Sequence, residues 1–261
     1  MSKSSTPPEK NQNPSGNRRQ QLQQQREQEA KERRIRSIVT YGILGVAVLA
    51  IVGVIAAVVI STQNAPVAQG GGATTGDYTL VAGKADAPVT ISIFQDYMCP
   101  YCGRFERANR DDLEAMVSDG TAKIEFHLMN FLDDASQGTK YSSRAANALV
   151  AVAKAEPDKV MAFNAALFDG EPAEGTPGLS DAQIADLARQ AGVSNEVIAT
   201  FARMANQDFV NRSTTAAFQA GVTSTPTVKI NGEVWPGEGR SGLMYEPGQL
   251  RAAVAEAAAK K

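Results

Sequence analysis

The distribution of apolar and polar residues divides the chain into four stretches. Residues 1–37 are mostly Ser, Pro, Asn, Gln and charged residues, so they are predicted to form a disordered tail. Residues 38–60 contain no charge and are rich in Val, Ile, Ala and Gly, and this run is long enough for a transmembrane helix. Residues 61–76, STQNAPVAQGGGATTG, are predicted to be a flexible linker. The remaining stretch, 77–261, is predicted to be one folded domain.

Within that domain, the pattern first predicts a strand, a helix and a second strand. The run APVTISIFQD, 87–96, is β-branched and aromatic, with apolar residues on both faces, as in a central strand. A helix is expected from Pro100, which suits a first helical turn, to Gly120. The run KIEFHLMNF, 123–131, alternates and predicts the second strand. A connection of this length makes a right-handed, parallel βαβ unit.

The pattern changes to helical spacing between 139 and 219, with a capping-box sequence at Ser180 and Gln183. Strand character returns in TPTVKINGEVWPG, 225–237, where Asn231-Gly232 predicts a hairpin turn. An Ala-rich helix is expected over 246–260. The predicted class is therefore α/β: a thioredoxin fold with a helical insertion at about 133–219, between the second and third strands, preceded by a single transmembrane helix.

Charge adds an orientation to the predicted transmembrane helix. Lys and Arg outnumber Asp and Glu before residue 38, and neither Lys nor Arg occurs between Ser37 and Lys84. The positive-inside rule then predicts a cytoplasmic N-terminus and an extracytoplasmic domain, in a single-pass cell-membrane protein. A cleaved secretory signal is the competing interpretation, but the run is long for one and lacks a good cleavage site. The acidic balance of the domain argues against nucleic acid as a partner.

The only two cysteines of the chain, Cys99 and Cys102, are the candidate catalytic residues. With a single histidine, His127, they make a poor zinc site, and no metal is expected. A helix N-terminus at Cys99 would stabilise its thiolate and make the disulfide an oxidant for other thiols. Pro100 and Tyr101 would tune that thiolate without adding charge. The alternative, a structural disulfide, would close too short a loop to stabilise the fold much.

Several further segments accompany the CPYC motif. The sequence DYMCPYC follows ISIFQ, and FHLMNFLD, YSSRAANA and GVTSTPTVKING occur later in the chain. Together they resemble the DsbA-like branch of the thioredoxin-fold proteins, specifically its membrane-anchored bacterial members. The resemblance implies that Pro226 is a cis-proline facing the disulfide. It also implies that the backbone of Thr225 pairs with extended substrate.

The chain departs from the DsbA pattern at two positions. DsbA has an acidic residue six places before its first cysteine, where this chain has Ile93, and it has His where this chain has Tyr101. A different group must then relay the proton of Cys102. Glu125 and Asp96 are the candidates for that role.

The resemblance and the motif together lead to one expected function. It is a membrane-anchored, extracytoplasmic thiol–disulfide oxidoreductase that introduces disulfide bonds into reduced or unfolded exported proteins. The Cys99–Cys102 disulfide is its redox group, and no other cofactor is expected. The resemblance implies reoxidation by a quinone-linked membrane protein of the DsbB or vitamin K epoxide reductase type. The alternatives are a disulfide reductase or isomerase of the same fold, and an anchored binding module with an inert disulfide.

Overall fold

A six-stranded mixed sheet is the centre of the computed structural model, which describes residues 74–75 and 78–260. The strands are β1 (Thr74–Thr75), β2 (Thr79–Ala82), β3 (Val89–Gln95), β4 (Ala122–Leu128), β5 (Thr227–Ile230) and β6 (Glu233–Trp235). Their order across the sheet is β1-β2-β4-β3-β5-β6. Only β3 and β4 are parallel.

The predicted βαβ unit is confirmed. Strand β3 lies between β4 and β5 and is almost wholly buried, as the apolar residues on both of its faces predict. Helix α1 (Pro100–Asp119) follows β3 and ends at Gly120, whose φ of 81° is the left-handed value typical of a helix C-terminus. Ile93 of β3 then pairs with Phe126 of β4.

The N-terminal edge of the sheet was not predicted. Strand β2 has only four residues and pairs antiparallel with β4, and β1 pairs with β2. Thr74 and Thr75, which form β1, are residues that the predicted linker included. A four-residue strand offers too short an alternation for a sequence pattern to reveal it.

The helical insertion lies between β4 and β5, as predicted. It contains α2 (Tyr141–Ala155), α3 (Val160–Asp169), α4 (Asp181–Gln190), α5 (Asn195–Ile198) and α6 (Gln207–Gln219), with short 3₁₀ turns between some of them. Ser180 and Gln183 form the expected capping box at the start of α4. The rings of Phe163 and Phe201 stack inside the insertion at 5.9 Å.

The C-terminal elements also match the sequence pattern. Asn231 and Gly232 both have positive φ, 50° and 89°, and they join β5 to β6 as a tight hairpin turn. Helix α7 (Gln249–Ala259) closes the fold and contacts α1 through an ion pair between Arg251 and Asp112 at 2.7 Å.

The two faces of the sheet have separate cores. The larger core contains Ile93, Phe126, Cys102 and residues of α1 and α7. Phe94 belongs to a smaller core with Met129, Ala217 and Val222. Successive residues of a strand point to opposite faces, so this division shows which strand residues face the cysteines.

The predicted tail, the predicted transmembrane helix and most of the predicted linker lie outside the described residues. Within 74–75 and 78–260, no helix has the length and apolar character needed to span a membrane.

Candidate active site

Cys99 is the N-cap residue of α1, and Pro100 occupies the first helical turn. The backbone N–H groups of Cys102 and Gly103 donate to the Cys99 carbonyl at 2.9 and 3.2 Å. Both thiols are free, and both lie mostly inside the protein, Cys99 being 5% and Cys102 1% exposed. The strand-to-helix placement predicted from the sequence is therefore present.

The two thiols have opposite electrostatic surroundings. A hydrogen bond from the Cys102 side chain is the main cause that lowers the pKa of Cys99 from 9.0 to about 6, and burial opposes it. Hydrogen bonds from the Thr225 side chain and from the backbone of Cys102 and Tyr101 lower the pKa further. Burial, followed by the hydrogen bond to Cys99, raises the pKa of Cys102 well above 9.0. Cys99 is thus the thiolate, and Cys102 the protonated partner, at neutral pH.

The structure brings Thr225 and Pro226 to the thiols. The Sγ atom of Cys99 lies 3.4 Å from the Thr225 carbonyl oxygen, across 126 residues of chain. The Thr225–Pro226 peptide bond is cis, and so is the Trp235–Pro236 bond, which was not predicted. A Cys99 thiol can donate to that carbonyl, whereas a thiolate can only accept.

The two residues between the cysteines face solvent. Pro100 is exposed, and Tyr101 is 57% exposed. The centres of the Tyr101 and Tyr245 rings lie 6.4 Å apart. The guanidinium carbon of Arg104 lies over the Tyr245 ring, 4.4 Å from its centre. These residues form an aromatic and cationic rim on one side of Cys99.

Asp96, one of the two predicted relay residues, is buried close to the site. Its carboxylate accepts hydrogen bonds from the Met98 N–H at 2.8 Å, the Leu132 N–H at 2.9 Å and the Ser142 hydroxyl at 2.6 Å. Burial raises its pKa to about 6 in spite of these bonds, and the charge of Cys99 adds to the increase. Asp96 therefore joins the loop before the cysteines to the helical insertion and senses the charge of Cys99.

Glu125, the other predicted relay residue, is not brought to the thiols. It pairs with Ser92 in the sheet, accepts a hydrogen bond from the Ser92 hydroxyl at 3.2 Å and lies 3.4 Å from Lys123. Its neighbour Phe126 belongs to the core of Cys102, so Glu125 points to the opposite face. We therefore do not retain it as a proton relay.

Ile93 and His127 lie on opposite faces of the sheet. Ile93 lies in the same core as both cysteines, so no acid occupies that position under the site. The His127 ring stacks on Phe94 at 4.1 Å, on the far face of the sheet. In the described part of the chain, no group of three or more His, Cys, Asp or Glu side chains is arranged to hold a metal.

Sequence reasoning missed one acidic residue, Glu171. It follows α3 in the insertion, and its carboxylate lies against Gly103, the residue after Cys102. The charge of Cys99 is among the causes that raise its pKa. The only sequence signal was a glycine directly after the motif, which does not by itself identify a partner.

Comparisons with known proteins identify the family of the chain. A family model described as thioredoxin matches residues 75–241, well over half of the chain. The chain belongs to this thioredoxin family.

Among the similar solved structures is that of DsbA from Mycobacterium tuberculosis in its reduced form. It is 26% identical, covers 70% of this chain and 100% of that chain, and has a TM-score of 0.55. Disulfide bond formation protein D of Bacillus subtilis is 29% identical over 180 residues, which is 64% of this chain and 75% of the relative. The chain is a DsbA-like protein of the thioredoxin fold.

A further similarity covers a smaller region. Serine/threonine-protein kinase PknE of Mycobacterium tuberculosis is 38% identical over 123 residues, 46% of this chain. That match spans only 22% of the kinase. The DsbA-like chain therefore resembles about a fifth of PknE's length.

Proposed function

We propose that this DsbA-like protein oxidises pairs of thiols in other proteins and forms their disulfide bonds. The observation that carries the proposal is the position of Cys99 at the start of α1, where hydrogen bonds lower its pKa to about 6. A thiolate that is stable at neutral pH is a good leaving group, so a disulfide containing it is readily reduced by substrate thiols.

The proposed reaction has two exchange steps. A substrate thiolate attacks the Sγ atom of Cys99, the Cys99–Cys102 bond breaks, and Cys102 takes up a proton because its pKa is high. The second substrate thiolate then attacks the substrate sulfur of the mixed disulfide. Cys99 leaves as a thiolate, the substrate gains a disulfide, and the enzyme gains its two electrons.

The surroundings of Thr225 support a polypeptide substrate. A cavity of about 420 Å³ begins at Pro226 and extends along Trp235, Pro236 and Met244. An extended segment placed there would run beside the Thr225 backbone, which is 3.4 Å from the attacked sulfur. Strand-like pairing of backbone groups holds a segment without requiring a particular side chain.

The cellular setting is proposed from the sequence. The charge-free run 38–60 and the basic residues before it favour a single-pass anchor, with the catalytic domain on the extracytoplasmic side. Exported proteins with reduced cysteines are then the substrates. A quinone-linked membrane protein of the DsbB or vitamin K epoxide reductase type would return the Cys99–Cys102 pair to its disulfide.

The proposal is tested with oxidised protein and a peptide that contains two cysteines. The wild-type protein should form the peptide disulfide stoichiometrically, and Cys99→Ser should not. Cys102→Ser, given the disulfide-linked dimer of a peptide with one cysteine, should accumulate a mixed disulfide, because Cys99 attacks the peptide disulfide, one peptide thiolate leaves, and no second enzyme thiol resolves the product. Equal behaviour of wild type and Cys99→Ser would instead indicate an inert binding module. Equilibration with glutathione gives the direction: a reduction potential near that of thioredoxin, about −270 mV, would replace the oxidase with a reductase.

A further inference from the structure

The carboxyl group of Glu171 lies directly over the first turn of the active-site helix. Its side chain is only 10% exposed, and its Oε2 atom lies 3.3 Å from the guanidinium of Arg107. Its Oε1 atom is buried and has no hydrogen-bond partner. A buried oxygen without a partner destabilises the ionised form of a carboxyl group.

Gly103 is what allows this approach. A Cβ atom at Gly103 would overlap Oε2 of Glu171 and lie 2.6 Å from its Cδ atom and 2.8 Å from Oε1. Any other residue at position 103 would therefore displace the carboxyl group. Because residues four apart share one side of a helix, Gly103 lies on the same side of α1 as Cys99.

The groups that face Glu171 come from three directions. Helix α1 contributes Cys99 and Arg107, and α2 contributes Tyr141, whose pKa is raised first by burial and then by the charge of Glu171. On the α4 side, a Cβ atom built on the neighbouring Gly170 would come closest to Leu187, which is apolar. The nearby charges Arg110, Glu106 and Asp169 bind one another.

The balance of these effects leaves Glu171 close to half-ionised at neutral pH. Burial raises its pKa to about 7, the hydrogen bond and charge of Arg107 oppose the increase, and the charge of Cys99 adds to it. Interaction between two charges is mutual, so ionised Glu171 must also disfavour the Cys99 thiolate.

We propose that reduction of the Cys99–Cys102 disulfide is coupled to proton uptake by Glu171, whose ionised form opposes the Cys99 thiolate. This inference rests on the proposed function. Glu171 acts on Cys99 through its charge rather than by contact with substrate. The helical insertion thus tunes the oxidising strength of the cysteines and makes that strength depend on pH.

The protons and electrons of the proposed step balance. A substrate with two thiols gives two electrons to the Cys99–Cys102 bond and releases two protons. One proton is bound by Cys102, and Cys99 remains a thiolate. The other proton is shared between Glu171 and solvent, in a ratio that depends on pH.

The sign of the coupling determines the test. Above the pKa of Glu171, the carboxylate is charged and makes the reduced form less favourable, whereas below it the group is neutral and has no such effect. Glu171→Gln should therefore shift the equilibrium with glutathione toward the reduced protein at pH 8–9, by about threefold or more for half a pKa unit. At pH 5, wild type and variant should coincide.

Two further variants keep the test decisive. Glu174→Gln removes an exposed carboxylate three residues away and should behave as wild type. Gly103→Ala should displace Glu171 and weaken the pH dependence of the glutathione equilibrium, as Glu171→Gln does. Alanine is a better helix former than glycine, so a weakened helix would not explain that result.

The outcomes separate this inference from the proposed function. If wild type oxidises the dithiol peptide but Glu171→Gln and Gly103→Ala both keep its pH profile, the coupling is wrong and the oxidase stands. An equal shift in Glu174→Gln would also overturn the coupling, because net charge would then explain it. If wild type does not oxidise the peptide, the proposed function fails, while the glutathione titration still tests the coupling.

Discussion

The hydrogen bond from Cys102 to Cys99 is the largest cause of the low pKa of Cys99, and it can be removed by a small substitution. Cys102→Ala deletes the donor while leaving the backbone N–H groups at the start of α1 in place. The whole decrease, from 9.0 to about 6, corresponds to about 4 kcal/mol. The Cys102 thiol supplies only part of this free energy, because other hydrogen bonds also lower the pKa of Cys99.

A hydrogen bond to a charged group contributes about 1.5–3 kcal/mol, which is about 1–2 pKa units. Sulfur is a weak donor and Cys99 is partly reached by solvent, so we expect the lower end of that range. Cys102→Ala should therefore raise the pKa of Cys99 to about 7. Its thiolate fraction at pH 7 should fall from about 90% to about 50%.

The measurement is the absorbance of the thiolate at 240 nm against pH, in variants where Cys99 is the only thiol. Alkylation by iodoacetamide at each pH gives an independent value. Cys102→Ser is the matched control, because it keeps an O–H donor and should stay near the wild-type pKa. If Cys102→Ala still titrates near pH 6, the hydrogen bonds from Thr225 and from the backbone N–H groups of α1 dominate, and the Cys102 thiol is not the main cause of the low pKa.

Three predictions concern stability, each measured by urea unfolding of the reduced protein. Ser142→Ala should lower the free energy of unfolding by about 1.5–3 kcal/mol at pH 8 and by less at pH 5. Burial raises the pKa of Asp96 to about 6, and its ionised form, which needs the Ser142 hydrogen bond most, is present only at the higher pH. An equal loss at both pH values would contradict this. Asn164→Ala should lower the free energy of unfolding by about 1–3 kcal/mol, because the Asn164 Oδ1 atom accepts hydrogen bonds from Tyr97 and Gln95 at 2.8 and 2.6 Å. A loss below about 0.5 kcal/mol would show that Tyr97 and Gln95 find other partners. Phe163→Ala should lower the free energy of unfolding by about 3–5 kcal/mol, because it leaves a cavity in the insertion. The pKa of Cys99 should not change, and a changed pKa would reveal long-range coupling.

Asp96 also gives stability a pH dependence of known sign. Its pKa in the folded protein is about 6, above the ordinary value of 3.8, so the folded state binds its proton more tightly than the unfolded chain does. That contribution is fully present below about pH 4 and is lost as pH rises through about 6. Ser142→Ala should enlarge the loss, because it removes the strongest of the bonds that favour the ionised form.

Most of the local architecture around the cysteines was readable from the sequence. A β-branched run, a proline after Cys99 and a glycine at 120 specify a buried strand followed by a helix, and each acts within a few residues of chain. The hairpin at Asn231-Gly232 is equally local, because it depends on two residues that adopt positive φ. For the same reason the placement of Cys99 at a helix start could be predicted without coordinates.

The acidic residues around the site were decided by tertiary structure alone. Glu125 and Asp96 were equally plausible in sequence, but alternation along β4 turns Glu125 to the far face, while Asp96 is enclosed by the insertion. Glu171 lies 68 residues beyond Gly103, and nothing in its own neighbourhood indicates that α3 will bring it there. The sequence thus determined which sulfur is reactive, through short-range backbone geometry. Which charges surround that sulfur depended on how distant helices pack, because burial and Coulomb interactions act through space rather than along the chain.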